Sequence, residues 1–225
     1  MKSIILMSGG LDSLVSLALT KYEYNISLAL TFDYGQKSVE TEIKAAKDIC
    51  KHYKIDHRVI QLDWLKDITQ TALVSDKEIP KTTAKDLLSD GFTENSAKSV
   101  WVPNRNGAFL NIAAAFADAY DYNYIIIGAN KEEGKTFPDN SPEFIDSITK
   151  CFEYSTRTNP KVVAPLINFS KNDIVKKAME QCAPLELIRS CYSYKDKHCG
   201  ICESCVRLKR ALEYNNCSEI IEALF

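Results

Sequence analysis

The chain opens with an apolar run, Ile4–Met7, that meets Ser8-Gly9-Gly10-Leu11-Asp12-Ser13 and then Leu14–Thr20, whose apolar residues fall at helical spacing. No other feature constrains the fold as strongly. A short apolar run reads as a buried strand, and the segment after the loop reads as a helix. Two adjacent glycines let the backbone turn sharply and approach a ligand closely. The following helix aims its free N–H groups and the positive end of its dipole back at the loop. Ser8 and Ser13 add hydroxyl donors. The expectation is a cradle for phosphate or pyrophosphate. Lacking Gly-Lys-Ser/Thr, it is not a Walker A loop, and lacking Gly-x-Gly-x-x-Gly, it is not a dinucleotide fingerprint. A plain strand-to-helix turn also tolerates Gly-Gly; the added Ser8, Asp12 and Ser13 favour phosphate.

Further strands are expected at Ile26–Phe32, Arg58–Leu62, Tyr124–Gly128 and Val162–Ala164. Helical spacing predicts Val39–Tyr53, Gly107–Tyr120, Pro142–Phe152 and Ile174–Gln181, the last led by Ser170 and Asp173 at capping-box spacing. Residues 73–98, with Pro80 and Gly91, read as an irregular excursion or lid. The alternation of strands and helices argues for an α/β fold, a doubly wound parallel sheet with helices on both faces. A chain of 225 residues with 45% apolar content can bury one substantial core. The expected division is an α/β domain over 1–184 and a C-terminal extension over 185–225. The net charge of −2 argues against a nucleic-acid coat and a polybasic membrane binder. Ile4–Met7 is too short for a signal sequence or a membrane span. A cytoplasmic location is therefore expected, with no membrane partner and no direct nucleic-acid contact.

The extension carries Cys199, Cys202 and Cys205 at i, i+3 and i+6, with Cys191 eight residues upstream of the first. A Cys-x₂-Cys turn puts two sulfurs on one ion, a third follows on the next turn, and Cys191 closes a tetrahedral shell. Closed four-thiolate sites are structural, and a tail this short buries too little apolar surface to fold unaided. Disulfides, a redox role and an iron–sulfur cluster are the alternatives. Lys195, Lys197, Arg207, Lys209 and Arg210 flank the site, and such bases favour thiolates. His198 is a spare ligand or a bystander. Cys50, Cys151, Cys182 and Cys217 show no metal spacing.

Ser8–Ser13 resembles the signature loop of the N-type ATP pyrophosphatases, the PP-loop superfamily. Thr31–Gln36, Val102–Asn106 and Phe137-Pro138-Asp139 lie at expected strand ends and the loops after them, where ligands bind in such sheets. Together with the four cysteines, the set is similar to the family of preQ0-forming (7-cyano-7-deazaguanine) synthases, from near residue 3 to about residue 214. That resemblance implies an ATP-dependent ligase acting on 7-carboxy-7-deazaguanine and ammonia. Adenylation, amide formation and a second activation would yield a nitrile for queuosine biosynthesis. It implies ATP at Met7, Ser8, Gly9, Gly10, Leu11, Asp12, Ser13, Phe32 and Lys171, with Mg²⁺ alongside. Asp12, Ser13 and Arg105 would carry the chemistry. Tyr34, Gln36, Arg105, Asn106, Glu133 and Asp139 would meet the substrate, with Trp101 as a further stacking candidate. Zn²⁺ would sit on Cys191, Cys199, Cys202 and Cys205, in a homodimer. Asp12 is alternatively a first-turn helix carboxylate, and Lys171 a solvated helix-start lysine. The chain departs from the family pattern in carrying Asn104 for glycine, in lacking the arginine of the loop at 131–141, and in a Cys191–Cys199 spacing shorter by one. A thiolating tRNA-modifying enzyme and a non-catalytic nucleotide-binding zinc module are the competing readings.

Overall fold

The computed structural model describes residues 2–88 and 98–225. Five strands, β1 (Ser3–Leu6), β2 (Ile26–Asp33), β3 (Asp56–Gln61), β4 (Tyr124–Ile126) and β5 (Lys161–Val163), form one sheet in the order β3-β2-β1-β4-β5. Every neighbouring pair is parallel. Alternate strand residues feed two apolar layers. Ile5, Met7 and Ala29 face one, while Ile4, Leu6, Leu28 and Leu30 face the other. That is the period-2 signature of a strand covered on both sides.

The helices are α1 (Leu11–Tyr24), α2 (Val39–Tyr53), α3 (Asp63–Ile68), α4 (Arg105–Tyr120), α5 (a single turn, Lys131–Gly134), α6 (Pro142–Ser155), α7 (Lys171–Glu180), α8 (Glu203–Tyr214) and α9 (Ser218–Leu224). The first layer is filled from α1, α2, α7, α8 and α9, through Leu14, Leu17, Ile49, Ile174, Leu208 and Leu224. Across the sheet, Leu110, Ala113 and Ala117 of α4 and Phe152 of α6 fill the second. The extension thus shares a core with the α/β body, as a tail with little apolar surface of its own must.

The expected doubly wound sheet is present, and element ends differ by a few residues. The strand expected at Arg58–Leu62 runs from Asp56 to Gln61, and α1 begins at Leu11 instead of Leu14. Short α3, α5 and α9 carry no long periodic run and were not expected. Residues 73–88 are turns and irregular chain ending in one 3₁₀ turn, Asp86–Leu88; Gly91, in the expected lid, lies outside the described residues. The capping box of α7 is formed, with the Ser170 hydroxyl accepting from Asp173 N–H and the Asp173 carboxylate accepting from Ser170 N–H. Asn104, which replaces a family glycine, takes the left-handed conformation that asparagine tolerates, with φ 48°, and its side chain lies over the bare Cα of Gly107.

Candidate active site

Strand order reverses between β1 and β4, and the C-terminal ends of those strands open a crevice. A cavity of about 250 Å³ lies there. Its wall includes Met7, Ser8, Gly10, Leu11, Asp12, Ser13, Phe32, Tyr34, Gln36, Arg105, Asn106, Glu133, Asp139 and Lys171. Segments far apart in sequence therefore converge as expected. Gly9 does not line the cavity. Its φ is +79°, and a Cβ there would lie 2.7 Å from the Glu42 carbonyl oxygen of α2. Glycine is needed at this position for the turn and for helix packing. Gly128, unmarked in the sequence, lets the end of β4 touch α1: a Cβ would lie 3.0 Å from Ser13 N.

Lys171, the first residue of α7, is buried, and its ammonium reaches Asp12 at 2.5 Å and Glu133 at 2.9 Å. The solvated-lysine alternative is thereby excluded. Burial alone would lower the Lys171 pKa, but the two carboxylates more than offset it and raise it. Burial lifts the Asp12 carboxyl to about 6 against the pull of Lys171. Asp12 Oδ2 takes the lysine and an N–H from Asn130, whereas buried Oδ1 has no hydrogen-bond partner. Asp12 therefore caps nothing and offers a free oxygen. Next in the chain, Glu132 accepts the Lys171 N–H and pairs with Arg207 and Arg210, each at 3.0 Å. Those two arginines turn toward Glu132 and not toward the thiols they flank in sequence.

Arg105 starts α4, half-buried, and donates to the Tyr34 hydroxyl at 3.3 Å. Asn106 and Asp139 spend their polar atoms on each other: Asn106 N donates to Asp139 Oδ2 and Asn106 Nδ2 to the Asp139 carbonyl. The Gln36 amide is likewise occupied by Tyr34 N, Phe32 O and Glu42. These three residues reach the wall as braces. Phe32 stacks on Phe109 at 4.0 Å between ring centroids, and Trp101 lies parallel to Phe137 at 5.9 Å. Glu42, Arg189, Ser190 and Tyr192 also line the cavity. Sequence reasoning missed them: Glu42 looks like any first-turn helix acid, and nothing marks 189–192 apart from adjacency to Cys191.

The Sγ atoms of Cys191, Cys199, Cys202 and Cys205 lie within 4.8 Å of one another, and these residues could hold a metal ion. A tetrahedral Zn–S shell places sulfurs about 3.8 Å apart, and Cys199 and Cys205 stand at 3.9 Å. His198 is a bystander: its Nε2 accepts from Ser190 N–H and its other nitrogen faces the Leu224 carbonyl. Between knuckle and loop runs a strut. Arg189 N–H donates to the Gly9 carbonyl at 2.7 Å, and Ser190 Oγ accepts the Leu11 N–H at 3.3 Å. The buried Arg189 guanidinium holds the Ser193 and Asp196 carbonyls.

A parallel sheet with a serine–glycine loop at its switch point is the α/β architecture of PP-loop-type folds. More narrowly, the family model described as "Queuosine biosynthesis protein QueC" matches residues 2–216, and the chain belongs to that family. It is 46% identical over 217 residues to the 7-cyano-7-deazaguanine synthase of Methanosarcina barkeri (strain Fusaro / DSM 804), covering 95% of this chain and 94% of that one. To the protein of the same name from Carboxydothermus hydrogenoformans it is 50% identical over 211 residues, covering 93% and 97%. Among solved structures, NMN synthetase from Francisella tularensis aligns at 14% identity with a TM-score of 0.47, covering 96% of this chain and 84% of that chain.

Proposed function

We propose that the chain is an ATP-dependent ligase that converts 7-carboxy-7-deazaguanine and ammonia to 7-cyano-7-deazaguanine. Family membership supports this reading, and one observation carries it: the serine–glycine loop, Arg105 and the Lys171 triad share one cavity.

Ser8, Gly10 and the N-terminus of α1 would hold the phosphates, where developing charge makes the largest electrostatic demand of the reaction. Arg105 would pair with the substrate carboxylate or the α-phosphate. Lys171 is poised to exchange a carboxylate for phosphate oxygen. A hard cation such as Mg²⁺ takes oxygen ligands, and the unpartnered Asp12 Oδ1 beside Glu133 fits that need. Bound there, it would spread the charge on the leaving pyrophosphate. Glu133 and Asp139 are already engaged, so base recognition falls to what those contacts leave free.

Four converging thiols suit Zn²⁺, which would staple residues 185–225 onto the body formed by 1–184. Among the described residues, no cysteine lines the cavity, which disfavours the sulfur-carrying alternative. A cytoplasmic homodimer completes the reading. The test is incubation with ATP, Mg²⁺, ammonium and 7-carboxy-7-deazaguanine, read by mass spectrometry. Nitrile, AMP and pyrophosphate are expected; zinc-loaded protein that forms neither amide nor nitrile would overturn the assignment.

A further inference from the structure

Both bond-forming stages of that reaction strip protons from nitrogen, and the cavity must supply a group to receive them. Its carboxylates differ in how free they are. Asp12 and Glu133 are held by Lys171, Glu132 by Arg207 and Arg210, and Glu203 by Arg207. Asp139 accepts from Asn106 N–H and the Asn140 amide, and the Arg105 charge is the main influence opposing its burial. Glu42 has neutral hydrogen-bond partners: Ser38 Oγ at 2.6 Å on Oε1 and Gln36 Nε2 at 2.9 Å on Oε2. Each oxygen keeps a further lone pair. Glu42 lines the cavity together with Tyr34, Gln36 and Arg105, its carboxylate against the Gln36 amide.

We propose that Glu42 is the base of the reaction, binding ammonium and taking a proton from nitrogen as the amide forms and again as the nitrile forms. This rests on the ligase reading above. In the first stage ammonium gives one proton to Glu42, and the ammonia so freed forms a C–N bond at the adenylated carboxyl carbon. The C–O bond to AMP breaks, AMP leaves with the electron pair, and the second surplus proton goes to its phosphate. Glu42 returns its proton to water as products leave. In the second stage the amide oxygen attacks the α-phosphate of another ATP and displaces pyrophosphate. The resulting imidate nitrogen carries two protons and the nitrile none. One passes to Glu42 and one to the phosphate of the departing AMP as the C–O bond breaks.

Burial raises the Glu42 pKa above the ordinary carboxylate value, against the hydrogen bonds from Ser38 and Gln36 and the more distant Arg105 and Arg189. A base moved toward neutrality is better matched to its task. The charged and titratable groups that face it are those two arginines and the Tyr34 phenol.

The experiment compares Glu42→Gln and Glu42→Ala with wild type on zinc-loaded protein. Substrate-dependent ATP–pyrophosphate exchange reads adenylation, which Glu42 does not enter; ammonium-dependent amide and nitrile formation reads the rest. E42Q is expected to keep exchange and to lose roughly 10²-fold or more of amide formation at neutral pH, the usual scale of a general base. The deficit should shrink in alkaline buffer, where ammonium dissociates unaided, and formate should partly restore E42A. Amide formation by E42Q within about threefold of wild type overturns the proposal. So does a joint loss of exchange and amide formation in both variants without formate rescue, which marks Glu42 as structural. Wild type that gives no exchange sinks the ligase reading itself, and this proposal with it.

Discussion

Buried Lys171 sits between two half-buried carboxylates, and its removal would leave both without this counter-charge. Breaking such a group by deleting one partner costs about 3–5 kcal/mol. Lys171→Met is therefore expected to lower the urea midpoint strongly, and an unchanged midpoint would contradict the triad. Asp12 adds a pH signature. Its folded pKa, about 6, lies above the ordinary value of 3.8, so the folded chain binds this proton more tightly than the unfolded one. Stability from this group is full at low pH and is lost as pH rises through about 6. Relative to Asp12→Asn, wild type should gain stability on acidification from about pH 7 to about pH 5, the window of the shift. Parallel urea midpoints for the two proteins at both pH values would contradict this. At this scale the sequence was half legible. The left-handed Asn104 followed from the tolerance of asparagine for positive φ. Lys171 was marked only by the family resemblance and Glu42 not at all, because their meaning comes from α7 and α2 meeting loops distant in the chain.

The loop after β1 depends on two glycines for different reasons. Gly9 needs positive φ and has no room for a methyl group against α2; Gly10 has φ −83° and its nearest neighbour, Ser8 Oγ, at 3.3 Å. Gly9→Ala should thus cost more stability than Gly10→Ala, by about 1–3 kcal/mol. Equal thermal midpoints would refute the division of labour. Against the other end of the same loop, Gly128→Ala would press the chain after β4 onto the start of α1. The expected result is weaker ATP binding by calorimetry with little change in far-UV circular dichroism. Element by element, the helix Val39–Tyr53 was legible to the residue and the other long ones to within a few, because an apolar face repeats along them. The single turn at Lys131–Gly134 and the short α9 were not, since one or two turns offer no period to read.

For the whole molecule, strand alternation announced a parallel sheet, but the order β3-β2-β1-β4-β5 emerges only once helices are packed on both faces. Nor did the cysteine spacing reveal that α8 and α9 complete the layer beneath α1. Because the tail finishes a shared core, treating zinc-loaded protein with a chelator is expected to lower the thermal midpoint of the entire chain in a single transition. Two separated transitions would show instead that the tail melts alone.

The strut ties the thiol knuckle to the serine–glycine loop through the Arg189 main chain, the Ser190 hydroxyl and the His198 ring. Two ligands that steady the same few peptide groups assist one another, and thermodynamics makes the assistance mutual. Were the four thiols to hold a metal and the serine–glycine loop a nucleotide, each ligand would tighten the other's site through this strut.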